Sequence, residues 1–213
     1  MGRKLHPRNR GNRGSRLCHQ RGHGRRHGDV HLLTAAEQAQ KILQEADLLH
    51  PPGEVEAAFD RLAQAITQRL EHRTPLVLGV MIGGLVPTAK LLQRLRFPLH
   101  VDYIHATRYG GRTRGGKLHW MARPSTPLKG RTVLLVDDIL DEGLTLAALA
   151  AYCREEGAGE VLSAVLVDKR IPQKHHRADF VGLSVENRYV FGYGMDYRGF
   201  LRNAPGIFAV KDA

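Results

Sequence analysis

The sequence predicts an α/β fold built on an open, mainly parallel sheet flanked by helices, and three observations lead there. Its 213 residues, 42% apolar and 25% charged, have the profile of one globular domain carrying a tail. From Thr34 onward, segments with helical periodicity alternate with short continuous apolar runs, the pattern of strands covered on both faces. One such run, residues 132–136, leads through acidic residues into a glycine turn at which a helix begins. Open α/β sheets bind their ligands at strand carboxyl ends of this kind.

Composition and charge exclude several classes. No window approaches the roughly 20 consecutive apolar residues that crossing a bilayer requires, and the basic N-terminus lacks the apolar run of a secretory leader. The expected location is the cytoplasm, without a membrane partner. Two cysteines, Cys18 and Cys153, are too few for a disulfide framework and lie in no metal-ligand spacing, so both read as reduced thiols. The net charge of +11 is uneven: residues 1–31 carry nine Lys/Arg against the single Asp29. That Arg, Gly and His-rich stretch has too little apolar surface to offset the entropy of ordering, and we read residues 1–31 as a disordered tail. A nucleic-acid arm held by phosphate contacts is one use for it. A solvated extension, or a start site assigned too far upstream, is favoured over that. The folded domain is expected over residues 32–213.

The elements follow in order. Thr34-Ala35-Ala36-Glu37 spells a capping box that opens a helix running to about Leu48. His50-Pro51-Pro52-Gly53 stops it, and Val55, Phe59, Leu62, Ile66 and Leu70 recur at helical spacing through a second helix. Residues 76–81, bounded by Pro75 and Gly83-Gly84, read as a buried strand; residues 87–95 resume a helical pattern, and 101–107 form another strand. Residues 108–117 are rich in Gly and positive charge without apolar periodicity, the composition of a mobile lid or binding loop. Within it, residues 111–117 spell most of a nucleoside-triphosphate P-loop. That match fails, because Leu118 stands where a magnesium-binding Ser/Thr belongs and the residues after it do not open a helix.

The chemistry concentrates after residue 136. Gly143 permits a tight turn, Thr145 offers a hydroxyl, and the following helix points its unpaired N–H groups at that turn, an arrangement suited to a phosphate monoester. Asp137 and Asp138 can accept hydrogen bonds from vicinal hydroxyls or hold a hydrated magnesium ion. Asp141, one step further, can act over the same ligand as a general base or acid. A phosphorylated sugar satisfies both features. The competing reading is the acidic strand end of a regulatory or nucleotide-hydrolysing domain, and the second of these lacks its phosphate site without a P-loop.

These residues resemble the type I phosphoribosyltransferases, whose phosphoribosyl pyrophosphate signature is an apolar strand, two acidic residues and a short phosphate loop, as at 132–145. Val167-Asp168-Lys169-Arg170, Asp179-Phe180-Val181-Gly182-Leu183, the run 189–197 and Arg202 resemble the 6-oxopurine branch, in particular the bacterial hypoxanthine-guanine phosphoribosyltransferases. The likeness spans about residues 35–210 and leaves the tail outside. It implies a small hood subdomain contributed by the C-terminal segment. The implied activity moves the 5-phosphoribosyl group from phosphoribosyl pyrophosphate to purine N9, a purine-salvage reaction releasing pyrophosphate and using Mg2+. A homodimer or homotetramer is also implied.

By the same resemblance, Asp137 and Asp138 hold the ribose hydroxyls, and the loop Asp141, Glu142, Gly143, Leu144, Thr145 holds the 5-phosphate. Asp141 manages the purine N7 proton as the catalytic residue. Lys169 donates to O6 and so selects oxopurines, Tyr189 stacks on the base, and Val190 reads its edge through the backbone. Met81, Ile82, Gly83 and Arg202 face pyrophosphate. Asp196 joins Asp137 and Asp138 as a metal ligand, and Arg108-Tyr109 belong to the flexible loop, with residues 108–120 closing over the site. Several positions depart from the family pattern: Ile82 replaces a common lysine, Leu144 a residue that is often basic, Arg108 a serine, and Glu142 adds negative charge beside a phosphate. Tyr193 and Tyr197 read as packing residues, and His175-His176 as part of a solvated loop. Hypoxanthine, guanine and xanthine all present O6 to Lys169, so the residues do not rank them. A ligand-sensing regulator that binds nucleic acid is the alternative, supported only by the tail.

Overall fold

A computed structural model describes residues 33–108 and 118–211. The tail, with its expected disorder and any nucleic-acid role, and residues 109–117 of the expected lid lie outside the described residues. Thr34 caps the first helix, α1 (Ala35–Glu45), as a capping box: its hydroxyl accepts from Glu37 N at 3.2 Å and its own N–H donates to Glu37 Oε2 at 2.8 Å. The helix stops at Glu45, short of the expected Leu48. Asp47–His50 instead forms strand β1, paired antiparallel with β9 (Ile207–Ala209). Tertiary pairing overrides the helical propensity of this leucine-rich stretch.

Pro51 and Pro52 open α2 (Pro52–Leu70), where a missing N–H costs nothing. There follow β2 (Leu76–Val80), α3 (Leu85–Leu92), β3 (His100–Arg108), β4 (Leu118–Ala122), β5 (Thr132–Leu140), α4 (Leu144–Glu155), β6 (Glu160–Lys169) and β7 (Phe180–Val185). The helix expected at 87–95 thus begins and ends slightly earlier. The main sheet runs β4-β3-β2-β5-β6-β7 and is parallel except for β4, which pairs antiparallel with β3. Residues 118–120, expected within the closing loop, therefore belong to a strand, with Trp120 opposite Ala106.

Alternation along β5 explains the layers. Leu134 and Val136 face a core with Val55, Phe59, Leu62, Ile66 and Leu70 of α2; Val133 and Leu135 face the opposite core with Leu146, Leu149 and Cys153 of α4. Fully buried Phe59 is an anchor of the first layer, and its truncation to alanine is of the kind that costs about 3–5 kcal/mol. A second, three-stranded antiparallel sheet is ordered β1-β9-β8, with β8 at Val190–Phe191. The C-terminal segment supplies two of its strands as expected, and β1 reaches in from the other end of the domain. Among the described residues, no helix is long and apolar enough to cross a membrane.

Tyr193 is buried against Phe59 and donates its hydroxyl to Glu56 Oε1 at 3.0 Å, which with burial pushes the phenol up to about 12. Tyr197 packs edge-on against Tyr189 and Phe191. His176 differs from expectation. It is half-buried rather than solvated, with its ring 2.9 Å from the Ser163 hydroxyl.

Candidate active site

Every strand of the main sheet except β4 points its carboxyl end the same way, and there Asp137 and Asp138 fall among the last four residues of β5. Asp138 is 8% exposed, its Oδ1 accepting from Ile139 N at 2.7 Å, while Asp137 Oδ1 accepts from Asp138 N at 2.9 Å. Burial raises both carboxyls above the usual carboxylate range. The neighbouring Asp138 charge pushes Asp137 further, against the opposing pull of Arg202.

Beyond β5 the chain turns at Gly143, left-handed at φ 76°, and enters α4 with no side-chain cap. The first-turn amides of a helix have no intrahelical acceptor, so this turn presents N–H groups and the positive dipole end to whatever lies before it. What lies before it is a cavity of about 620 Å³, lined by Asp137, Asp138, residues 141–146, Met81, Gly83, Thr107, Asp196 and Arg202. Close approach of its walls depends on two glycines. A Cβ at Gly83 would collide with the Asp138 carboxylate, and one at Gly194, φ 112°, with the Gly83 carbonyl. The Met81-Ile82 peptide is cis.

A second cavity of about 280 Å³ adjoins the first and shares Asp138, Ile139, Asp141 and Asp196 with it; Lys169, Tyr189, Val190 and Met195 complete its lining. Lys169 Nζ donates to Asp141 Oδ2 at 2.8 Å, placing a cation and a carboxylate together on the shared wall. Tyr189 is 45% exposed and donates its hydroxyl to Asp196 O at 3.2 Å. Arg202 pairs with Asp196 Oδ1 at 2.7 Å and donates to Gly194 O at 2.5 Å, while Asp196 Oδ2 accepts from Gly199 N at 2.6 Å.

The structure thus brings Asp137, Asp138, Asp141, Glu142, Gly143, Leu144, Thr145, Met81, Gly83, Asp196 and Arg202 around one cavity, and Lys169, Tyr189 and Val190 around its neighbour. Ile82 lines neither and is 51% exposed. The Arg108 side chain and Tyr109 lie outside the described residues. Asp196, on the same cavity as Asp137 and Asp138, is held by Arg202 and Gly199, and among the described residues no group of three or more His, Cys, Asp or Glu side chains is placed to hold a metal ion. Sequence reasoning missed Thr107 and Met195. Thr107 ends the strand expected at 101–107, so the rule that ligands meet carboxyl ends was the signal for it.

A phosphoribosyl transferase domain model matches residues 46–198. The chain belongs to the phosphoribosyltransferase family. It is 32% identical over 168 residues to the hypoxanthine-guanine-xanthine phosphoribosyltransferase of Tritrichomonas foetus, covering 78% of this chain and 92% of that protein. It is 33% identical over 162 residues to the hypoxanthine-guanine phosphoribosyltransferase of Bacillus subtilis (strain 168), covering 75% and 90%. Among solved structures, a hypoxanthine-guanine phosphoribosyltransferase from Bacillus anthracis superposes with a TM-score of 0.73 at 28% identity, covering 78% of this chain and 98% of that one. The parallel sheet with its flanking helices and small second sheet is the type I phosphoribosyltransferase fold.

Proposed function

We propose that this phosphoribosyltransferase transfers the 5-phosphoribosyl group from phosphoribosyl pyrophosphate to N9 of a 6-oxopurine, yielding the nucleoside monophosphate and pyrophosphate. One observation carries the reading: two cavities share a wall at Asp138, Asp141 and Asp196, one floored by a helix N-terminus and the other lined by a lysine and a tyrosine. A phosphorylated sugar fits the first and a planar base with a carbonyl acceptor fits the second, so the reacting atoms would meet at the shared wall.

In this reading the turn 141–145 receives the 5-phosphate through its amides, and Asp137 and Asp138 accept the ribose hydroxyls. Met81, Gly83 and Arg202 flank the pyrophosphate, with Gly83 allowing the backbone to approach. Lys169 donates to O6, Tyr189 stacks on the ring, and Val190 presents backbone to the base edge. The N9 lone pair forms the bond to the anomeric carbon as the bond from that carbon to pyrophosphate oxygen breaks, through an oxocarbenium-like transition state. Asp141 accepts the purine proton, and its ion pair with Lys169 keeps the carboxylate within reach of the base. Holding the two substrates in register supplies much of the acceleration.

Paired acidic oxygens suit Mg2+, which is ordinarily bound through one or two carboxylates, waters and substrate phosphates rather than an all-protein cage. Asp137, Asp138 and Asp196, which line the same cavity, would hold it. The ion would supply neutralisation of the departing pyrophosphate charge. Because phosphorylated sugars do not cross membranes unaided, we assign the activity to the cytoplasm. A homodimer or homotetramer is supported by half-exposed Leu85, Val101 and Tyr103 around a surface depression beside Met81.

The test is absorbance-monitored conversion of hypoxanthine, guanine and xanthine in the presence of phosphoribosyl pyrophosphate and Mg2+, with product identity by mass. Nucleotide and stoichiometric pyrophosphate are expected; absence of nucleotide with all three bases overturns the reading.

A further inference from the structure

Against the phosphate loop, and outside the cavity lining, runs the segment between β6 and β7. It begins directly after Lys169 and returns at Asp179. Lys174 Nζ pairs with Asp168 near the end of β6, tying the middle of the segment back to that strand. His175 N donates to Glu142 O at 2.8 Å, joining its middle to the loop backbone. The next residue, His176, lies against Gly143 so closely that a Cβ on that glycine would come within 2.9 Å of His176 Cβ and 3.0 Å of its backbone nitrogen.

A chain of polar contacts holds the His176 ring from behind. Ser163, 1% exposed on β6, donates its hydroxyl to Asp179 Oδ2 at 3.1 Å and its N–H to the same oxygen at 2.8 Å. With its single proton so used, the Ser163 oxygen accepts from His176 Nε2 at 2.9 Å, which assigns the Nε2–H tautomer. Burial lowers the histidine below its ordinary value and Asp179 opposes this, so the ring is neutral at physiological pH and carries the one N–H that the contact requires. Although Asp, Ser and His are linked here, they do not form a nucleophilic triad, because Ser163 is buried at 1% exposure and lines neither cavity of the site.

We propose that residues 171–179 form a strap, with His176 as its central positioning residue, that holds the turn at Gly143 in the conformation that accepts the phosphate of phosphoribosyl pyrophosphate. His176 touches no substrate and acts through Gly143, while the backbone of His175 holds Glu142. The strap also starts two residues beyond Lys169, the last residue of β6, so the base-facing lysine and the phosphate-facing turn are tied to one short segment. The choice of ligand rests on the functional reading above, whereas the contact between strap and turn does not.

The test compares His176→Ala, His176→Gln and Ser163→Ala with the wild-type protein. His176→Ala is expected to raise the KM for phosphoribosyl pyrophosphate about tenfold, with kcat and the KM for the base within about twofold. His176→Gln, which can still reach the Ser163 hydroxyl and fill the space beside Gly143, is expected to recover most of that loss. Ser163→Ala should shift the same constant in the same direction by a smaller factor, and it carries the test if His176→Ala fails to fold. An unchanged KM for phosphoribosyl pyrophosphate in folded His176→Ala, or equal damage to all three constants without rescue by glutamine, overturns the strap. If wild-type protein makes no nucleotide, the functional reading fails separately. Hydrogen exchange over residues 141–146 then decides: faster exchange in the variants supports the strap, and unchanged exchange overturns it.

Discussion

Replacing Gly143 by alanine offers a quantitative test of how the phosphate loop is built. At φ 76° an L-residue in the left-handed region costs roughly 1–2 kcal/mol. The new methyl would also sit 2.9 Å from His176 Cβ and 3.0 Å from both His176 N and Leu140 Cδ1, and crowding of this kind costs about 1–3 kcal/mol. Loss of glycine's freedom in the unfolded chain returns about 0.4–1 kcal/mol. The net destabilisation expected is about 3 kcal/mol, a fall of about 6–12 °C in Tm for a domain of this size. Gly130 supplies the control. Its φ is 73° but nothing lies within 4 Å of an added Cβ, so Gly130→Ala should lose the left-handed contribution less the same unfolded-chain return, about 1 kcal/mol net. Urea unfolding of both variants, with titration by Mg2+ and phosphoribosyl pyrophosphate, separates global loss from local opening of the turn. Equal midpoints for the two alanine variants, with unchanged ligand affinity at Gly143→Ala, would refute the argument that the turn is clamped between Leu140 and His176.

Asp141→Asn should lower kcat by about 10²–10⁴-fold, the usual worth of a positioned acid–base group, while leaving the KM for phosphoribosyl pyrophosphate within about threefold; steady-state kinetics with both substrates varied decides this. Asp137→Asn should stabilise the ligand-free protein. Burial first, and the Asp138 charge second, raise the Asp137 carboxyl above its ordinary 3.8, so stability that is complete below about pH 3.8 is lost as pH rises through the raised value. Asparagine escapes that loss, so unfolding followed from pH 4 to pH 8 in EDTA should show the variant gaining on wild type as pH rises, and parallel curves would refute it. Cys153, buried with its thiol pushed up to about 11, is thiolate to only about one part in a thousand at pH 8. In a Cys18→Ser background, intact-mass analysis should find no iodoacetamide adduct until the protein is unfolded.

Much of this fold was legible because its elements carry strong local signals. The Thr34 capping box, the Val55 to Leu70 stripe and the apolar run before Asp137 each imply one structure with little competition, and those are the places where sequence and structure agree. The agreement fails where pairing partners decide. Leu48 and Leu49 continue a good helical pattern, and only the presence of β9 alongside makes residues 47–50 a strand. Residues 118–122 likewise become β4 because β3 offers an edge. At the site, most positions were accessible through the signature after residue 132 and the lysine and tyrosine downstream. His176 was hidden because its importance depends on Gly143, 33 positions earlier in the chain, and nothing local marks a histidine that packs on a glycine. The pairing of Asp196 with Arg202 and Gly199 was hidden for a similar reason, since it is made through a turn that composition does not reveal.

Pairing of Asp47 with Ala209 has an architectural corollary. Adjacent strands lie about 5 Å apart, so the polypeptide enters and leaves the segment 47–209 at almost one point. A host protein could take up that segment as an insertion without stretching its own chain, and linking the two ends to open new termini elsewhere would require only a tight turn. Swapping, grafting and circular permutation are therefore open to this scaffold through a single seam, far along the chain from the turn at Gly143.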